Sequence, residues 1–401
     1  MTPCGTGIDQ LWDAASRGES GIHPISRFDA TGCGSQVAGE VQGFNASDFL
    51  ARREIEAFSP YVHYGVAAAR MAWEDAGYPS SSVDADRIGV FLGSAVGALG
   101  RAVHEGVVFA EKGIGRVHPM VPLQYPGTLP SEVAISLGVH GPAYAVSTAC
   151  TAGADAAGLA LGQIASGVLD AALVGGSDAP LVPVLFAGFD RLQVLSRLND
   201  PPEQASRPFS KNRNGFVLSE GAGILMLEAE DVARERGARV YAELAGFGAT
   251  SDAHHHLHPD ATGVQGARAI VAALKQAGLT PGDVDYINAH GTSTPKNDLI
   301  ETAIVKQVFS EAAYRVPISS SKSMLGHMIG ASAAVELILS ILAIRDGIIP
   351  PTINLTDPDP ACDLDYVSEG ARHARLDVVL STSFGFGSRN AALVVRRWTN
   401  S

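Results

Sequence analysis

Cysteine is scarce in this chain, and the scarcity excludes two architectures. Cys4, Cys33, Cys150 and Cys362 are the only four in 401 residues, spread without a CxxC pair. Neither a disulfide framework nor structural zinc is expected, and the compartment is expected to be reducing. No run of about 18 apolar residues occurs, nor a charged segment leading into an apolar one at the start, so no membrane span or signal segment is expected. The protein is expected to be soluble and cytoplasmic. Basic charge is also short: 29 Lys and Arg against 42 Asp and Glu leave a net charge of −13. That balance argues against nucleic acid or an anionic membrane as partner, and any acidic partner must meet a local basic patch. Charged residues of either sign make up only 18% of the chain, against 46% hydrophobic. A compact protein with extensive buried or subunit-facing surface follows, long enough for two domains or two fused halves.

What is present is a repeated strand-and-helix pattern. Apolar runs ending in glycine or small polar residues start at Ile88 (IGVFLGSAVGALG), Leu169 (LDAALVGGSDAP), Val284 (VDYINAHGTST) and Leu376 (LDVVLSTSFGFGS). Such runs, alternating with helical patterns from Phe58, Val264 and Ala331, predict an α/β layered fold with sheets buried on both faces and functional loops at strand ends. The charged stretch EAEDVARERGAR, 228–239, places a boundary near Tyr241, giving halves 1–240 and 241–401. The halves look parallel in plan: VSTACTAGADAAG in the first and SKSMLGHMIGASAAVE in the second each lead a small-residue turn into an alanine-rich helix.

Four places have the composition of a site. Cys150 stands where a strand-like run meets a helix start, and free backbone N–H groups there favour thiolate; a small buried residue is the plainer reading. His290 ends a strand and opens HGTSTPKND, rich in hydroxyls and broken by Gly291 and Pro295; His327 sits among glycine and alanine, and either could be an ordinary core histidine. TSFGFGSRN, 382–390, can turn sharply and present free N–H groups, or form a hairpin with buried rings. The histidines of SDAHHHLHPD lack metal-ligand spacing and are expected to line a substrate entrance.

AlaCysThr at 149–151, HGTSTPKND at 290–298 and KSMLGHMIGASAAVE at 322–336 stand in the order and spacing of one family. The chain resembles the elongating β-ketoacyl synthases of the thiolase superfamily. GGSDAP, 175–180, and the segment 199–223 look closer to the catalytic ketosynthase subunit of type II polyketide systems, whereas HGTSTP and SFGFG look more like the fatty-acid branch. The resemblance implies an αβαβα thiolase-like fold of two similar fused halves and a decarboxylative Claisen condensation. Cys150 would carry the acyl group, the N–H groups of Cys150 and Phe386 would form an oxyanion hole, and His290 and His327 would hold the enolate oxygen of a malonyl thioester. Lys322 and Glu336 would orient the site, Thr292 and Thr294 would contact the pantetheine arm, and Phe384 and Phe386 would gate access. It further implies an acyl carrier protein as partner, met by Arg52, Arg53, Arg191 and Arg197, a homodimer or a heterodimer with a chain-length-factor-like paralogue, and no metal or redox cofactor. A non-catalytic chain-length-factor-like subunit would lack the cysteine, and a degradative thiolase would carry a second one near the C-terminus; neither pattern is met. One departure is the start at MetThrProCysGly, without the apolar strand usual before such a turn, which leads to the expectation of a sheet lacking a central strand.

Overall fold

In the computed structural model, which describes residues 1–79 and 83–399, two sheets of the same plan are stacked with helices between and outside them. The first sheet consists of β1 (Ile88–Gly93), β2 (Ala143–Val146), β3 (Ala171–Asp178) and β4 (Gly221–Glu228), in the order β2-β1-β3-β4. β1 runs parallel to β2 and β3, and β4 returns antiparallel. The second consists of β5 (Ala242–Ser251), β6 (Tyr286–Asn288), β7 (Ile318–Ser319), β8 (Val378–Gly385) and β9 (Arg389–Arg397), in the order β7-β6-β8-β9-β5. Its first three are parallel and the last two antiparallel, the same plan with one strand added at an edge. All eight residues of β3 are buried, as expected of a strand covered on both faces.

Five helices define the layers used below: α1 (Pro60–Asp75), α2 (Ala152–Ala165), α3 (Val264–Gln276), α4 (Pro295–Phe309) and α5 (Ser332–Asp346). Between the sheets lie α2 and α5, whose Ala156, Ala160, Leu339 and Leu342 share one core with Phe91 and Val174 of the first sheet and Val379 and Leu393 of the second. The small residues of α2 have a steric cause. A Cβ on Gly153 would meet the Ala334 nitrogen at 2.9 Å, so the two middle helices cross at near backbone contact. α5 stops where Gly347 turns left-handed at φ 65° and gives its N–H to the Ala343 carbonyl. Outside, α1 covers the first sheet and α3 and α4 the second, each over its own apolar cluster. The result is the αβαβα arrangement that the family resemblance implies.

The expectation of a missing central strand is corrected. In the second sheet the strand that comes first in sequence, β5, lies at the edge and pairs only with β9. The equivalent place in the first sheet is the open side of β4, where the Met1 amine donates to the Ala222 carbonyl at 2.9 Å and Ala222 N–H to the Met1 carbonyl at 2.8 Å. β4 is thus an edge strand, and the central strands β1 and β3 each pair on both sides. No helix among the described residues is long and apolar enough to cross a membrane.

Candidate active site

Cys150 sits in a 3₁₀ turn, Ala149–Thr151, that joins β2 to α2. Ala149 is held at φ 57°, a left-handed conformation that costs about 1 kcal/mol or more for a residue with a Cβ, and this sharp turn places the sulfur at the helix start. The Phe386 N–H, in the hairpin turn between β8 and β9, and the N–H of Cys150 itself both favour its thiolate. His327 brings Nε2 to 3.1 Å from Sγ, and the donor atoms of Cys150, His290 and His327 all lie within 4.8 Å of one another. Residues from three distant motifs therefore meet in one buried place.

Each partner is anchored by backbone. His327 N–H donates to the Val217 carbonyl at 2.8 Å, and its own carbonyl accepts from Ser219 N–H at 2.9 Å. His290 follows β6, and its N–H donates to the Glu301 carboxylate of α4 at 2.8 Å; the same carboxylate accepts from Gly291 N–H and the Thr382 hydroxyl. The His290 ring stands edge-on to those of His327 and Phe384. Asp178, the last residue of β3, accepts from Ser94 Oγ, from the Ala95 and Val96 amides, and at 2.8 Å from Gly330 N–H. That carboxylate joins the first half to the turn after His327. A Cβ on Gly330 would meet it at 2.6 Å, so only glycine fits.

Lys322 and Glu336 form a fully buried ion pair beside the site. Burial raises the Glu336 carboxyl, and the nearby ammonium opposes the rise. Burial, then the Lys322 charge, holds both His290 and His327 well below the usual imidazole range, so both rings are neutral at physiological pH and offer N–H donors without a base's affinity for protons. Cys150 departs from expectation. Burial pushes its thiol up to about 11, outweighing the Phe386 amide and the Lys322 charge that lower it. The resting sulfur is a thiol, and alkylation of Cys150 by iodoacetamide, followed on its own peptide by mass spectrometry, is expected to rise about tenfold per pH unit between about pH 7 and 9. A plateau already reached near neutrality would contradict this.

Thr292 and Thr294 hydroxyls lie 2.9 Å apart, and Thr294 also caps α4 by accepting from Asn297 N–H. Phe384 reaches the His290 ring, while Phe386 packs on a separate cluster with Phe189. The hairpin reading and the N–H-presenting reading of TSFGFGSRN thus hold together. The histidine loop is fastened to this hairpin: Ser388 Oγ accepts from the His254 and His255 amides, and Gly387 N–H donates to the His256 carbonyl. Arg52, Arg53, Arg191 and Arg197 are all exposed, but Arg52 is engaged by Glu56. Sequence reading missed Asp178, Glu301 and Ser332, whose partners lie in distant segments or depend on the folded geometry.

One sulfur, two neutral imidazole donors and converging backbone amides, set between the halves of a duplicated α/β fold, define an acyltransferase of the thiolase-like class. The comparisons agree. The profile of the β-ketoacyl synthase N-terminal domain matches residues 1–233, and that of the C-terminal domain residues 241–356. The 3-oxoacyl-[acyl-carrier-protein] synthase 2 of Synechocystis is 42% identical over 399 residues, covering 99% of this chain and 96% of that protein. A type II polyketide acyl-carrier protein in complex with its ketosynthase bound to a hexaketide contains a chain matching at TM-score 0.91 and 34% identity, over 99% of this chain and 97% of the other. The ishigamide ketosynthase/chain length factor matches at TM-score 0.90 and 34% identity, with the same coverage. The chain belongs to the β-ketoacyl synthase family and is an enzyme that forms carbon–carbon bonds by acyl transfer.

Proposed function

We propose that the protein extends a chain carried on the phosphopantetheine arm of an acyl carrier protein, in type II polyketide assembly, with Cys150 as nucleophile. The observation that carries the condensation chemistry is the convergence of Cys150, His290 and His327 within 4.8 Å beside the Phe386 amide, and the likeness to polyketide ketosynthases at TM-scores of 0.91 and 0.90 supports the type II polyketide setting. In the first step Sγ attacks the acyl thioester, the oxyanion is held by the Cys150 and Phe386 amides, and the thiol proton leaves on the pantetheine sulfur. In the second, a malonyl thioester loses CO2 while His290 and His327 donate to its enolate oxygen. The carbanion then attacks the Cys150 thioester, and the freed sulfur takes up a proton. Lys322 and Glu336 orient the pocket, Thr292 and Thr294 hold the pantetheine amides, and Phe384 and Phe386 gate the extender. The division at 240/241 leaves the nucleophile on one half and both histidines on the other.

A second reading, elongation in fatty-acid synthesis, is favoured by the higher identity to the Synechocystis enzyme, 42% against 34%. Incubation with acyl- and malonyl-carrier protein in the absence of reductases separates the two. Repeated two-carbon additions without reduction are expected for polyketide assembly. A single addition that stops at one β-ketoacyl product supports the fatty-acid reading.

The carrier docks on the exposed arginines. Arg53→Glu combined with Arg191→Glu is expected to slow acylation from the carrier protein and to weaken its salt dependence, while a small thioester reacts as before. Equal losses with both donors would contradict this surface. The second subunit, a copy of this chain or a paralogue lacking the cysteine, covers the edge strand β2. Tyr144 there and Ile135, on the helix packed against that strand, are both more than half exposed, as a subunit-facing apolar surface would be. Light scattering is expected to give a dimer, alone or after coexpression with the paralogue; a fully active monomer would contradict it.

A further inference from the structure

His290 and His327 differ in what holds their rings. Nδ1 of His290 is buried with no hydrogen-bond partner among the described residues. Nδ1 of His327 lies 2.9 Å from the hydroxyl of Ser332, the first residue of α5. That hydroxyl also lies 2.9 Å from the Met328 nitrogen. An amide N–H can only donate, so Ser332 Oγ accepts from Met328 and keeps its own hydrogen to give. Ser332 is buried, and within its hydrogen-bond reach Nδ1 is the group able to accept. The arrangement that satisfies every atom therefore has Oγ–H donating to Nδ1, which puts the single proton of the neutral ring on Nε2. Nε2 is the atom 3.1 Å from Cys150 Sγ, on the side of the pocket where a thioester oxygen must lie to react. The opposite tautomer would leave the hydroxyl hydrogen buried and unpaired.

We propose that Ser332 is a positioning residue that fixes His327 as its Nε2–H tautomer and so aims a donor at the enolate oxygen. The proposal rests on the reading of the reaction given above. Packing alone would be served by alanine in the small-residue run Gly330–Ala334, so the hydroxyl is the informative group. The division of labour follows: His327 is pre-set by the protein, whereas His290 is oriented by ring packing and by bound substrate.

The test uses the full-length protein with malonyl-carrier protein, measuring CO2 release for the parent, Ser332→Ala and Ser332→Cys. Loss of one orienting hydrogen bond of ordinary strength is expected to lower kcat for decarboxylation by about tenfold in Ser332→Ala, with KM unchanged. Ser332→Cys, nearly isosteric and a weaker donor, is expected to fall between the two, and acylation of Cys150 is expected to suffer much less than decarboxylation. A lowered thermal midpoint is expected for Ser332→Ala, which leaves the Met328 amide without its partner, and one close to the parent's for Ser332→Cys, so the cysteine variant carries the comparison. Parent-like decarboxylation in both variants, or a rise in KM alone, would overturn the role of Ser332. A parent protein that neither acylates Cys150 nor releases CO2 would instead overturn the reading of the reaction itself.

Discussion

Cys150→Ala is expected to abolish acyl-enzyme formation and condensation while leaving malonyl decarboxylation measurable. Acyl transfer needs the sulfur, because no other nucleophile stands among the converging groups: both nearby imidazoles are donors held neutral by burial. Decarboxylation makes a different demand. The malonyl thioester must be held and its developing enolate oxygen given hydrogen bonds, and the donors proposed for that are His290 and His327. Removing the sulfur leaves both rings anchored, since Val217, Ser219 and Glu301 fix their backbones without help from Cys150. The variant should therefore separate the stages, and the comparison is made by mass spectrometry of the protein and by CO2 release. Condensation surviving in Cys150→Ala would mean that another group carries the acyl chain.

His290→Ala and His327→Ala are expected to do the reverse. A lost oxyanion donor typically costs about 100–1000-fold in rate, and in this pocket it would act in a water-poor setting where such donors count most. Decarboxylation should fall by that order in each variant, while Cys150 remains open to acylation from an acyl-carrier protein. His327→Ala also removes the ring 3.1 Å from Sγ, so its acylation should fall further than that of His290→Ala. Asn is the informative second substitution, since a side-chain amide restores a donor of similar reach. Parent-rate decarboxylation in both alanine variants would show that the enolate is stabilised elsewhere.

Cys150, His290 and His327 were each ambiguous in their local sequence, where a small buried residue or a core histidine fitted as well, and they stood out only through the order and spacing of the three motifs that carry them. The layered fold was legible more locally: the all-buried runs of β1 and β3 admit little but a sheet covered on both faces. What could not be read depends on distant partners. Asp178 matters because Gly330, 152 residues away, donates to it, and Ser332 because its hydroxyl meets the ring of His327 in a particular rotamer. The thiolate expected at Cys150 failed likewise. A helix start is visible locally, but the burial that raises the thiol is a property of the folded chain. The edge position facing β4 was hidden too, because strand order in a sheet is set by crossovers that composition does not reveal.

The account stands most directly on one peptide. The protein is incubated with acyl-carrier protein, digested under conditions that keep thioesters, and the peptide holding Cys150 is weighed before and after addition of malonyl-carrier protein. The expected result is a mass gain of one acyl group on Cys150 that disappears on adding the extender, as the lengthened β-ketoacyl chain appears on the carrier. A Cys150 peptide that stays unmodified while condensation proceeds would contradict it.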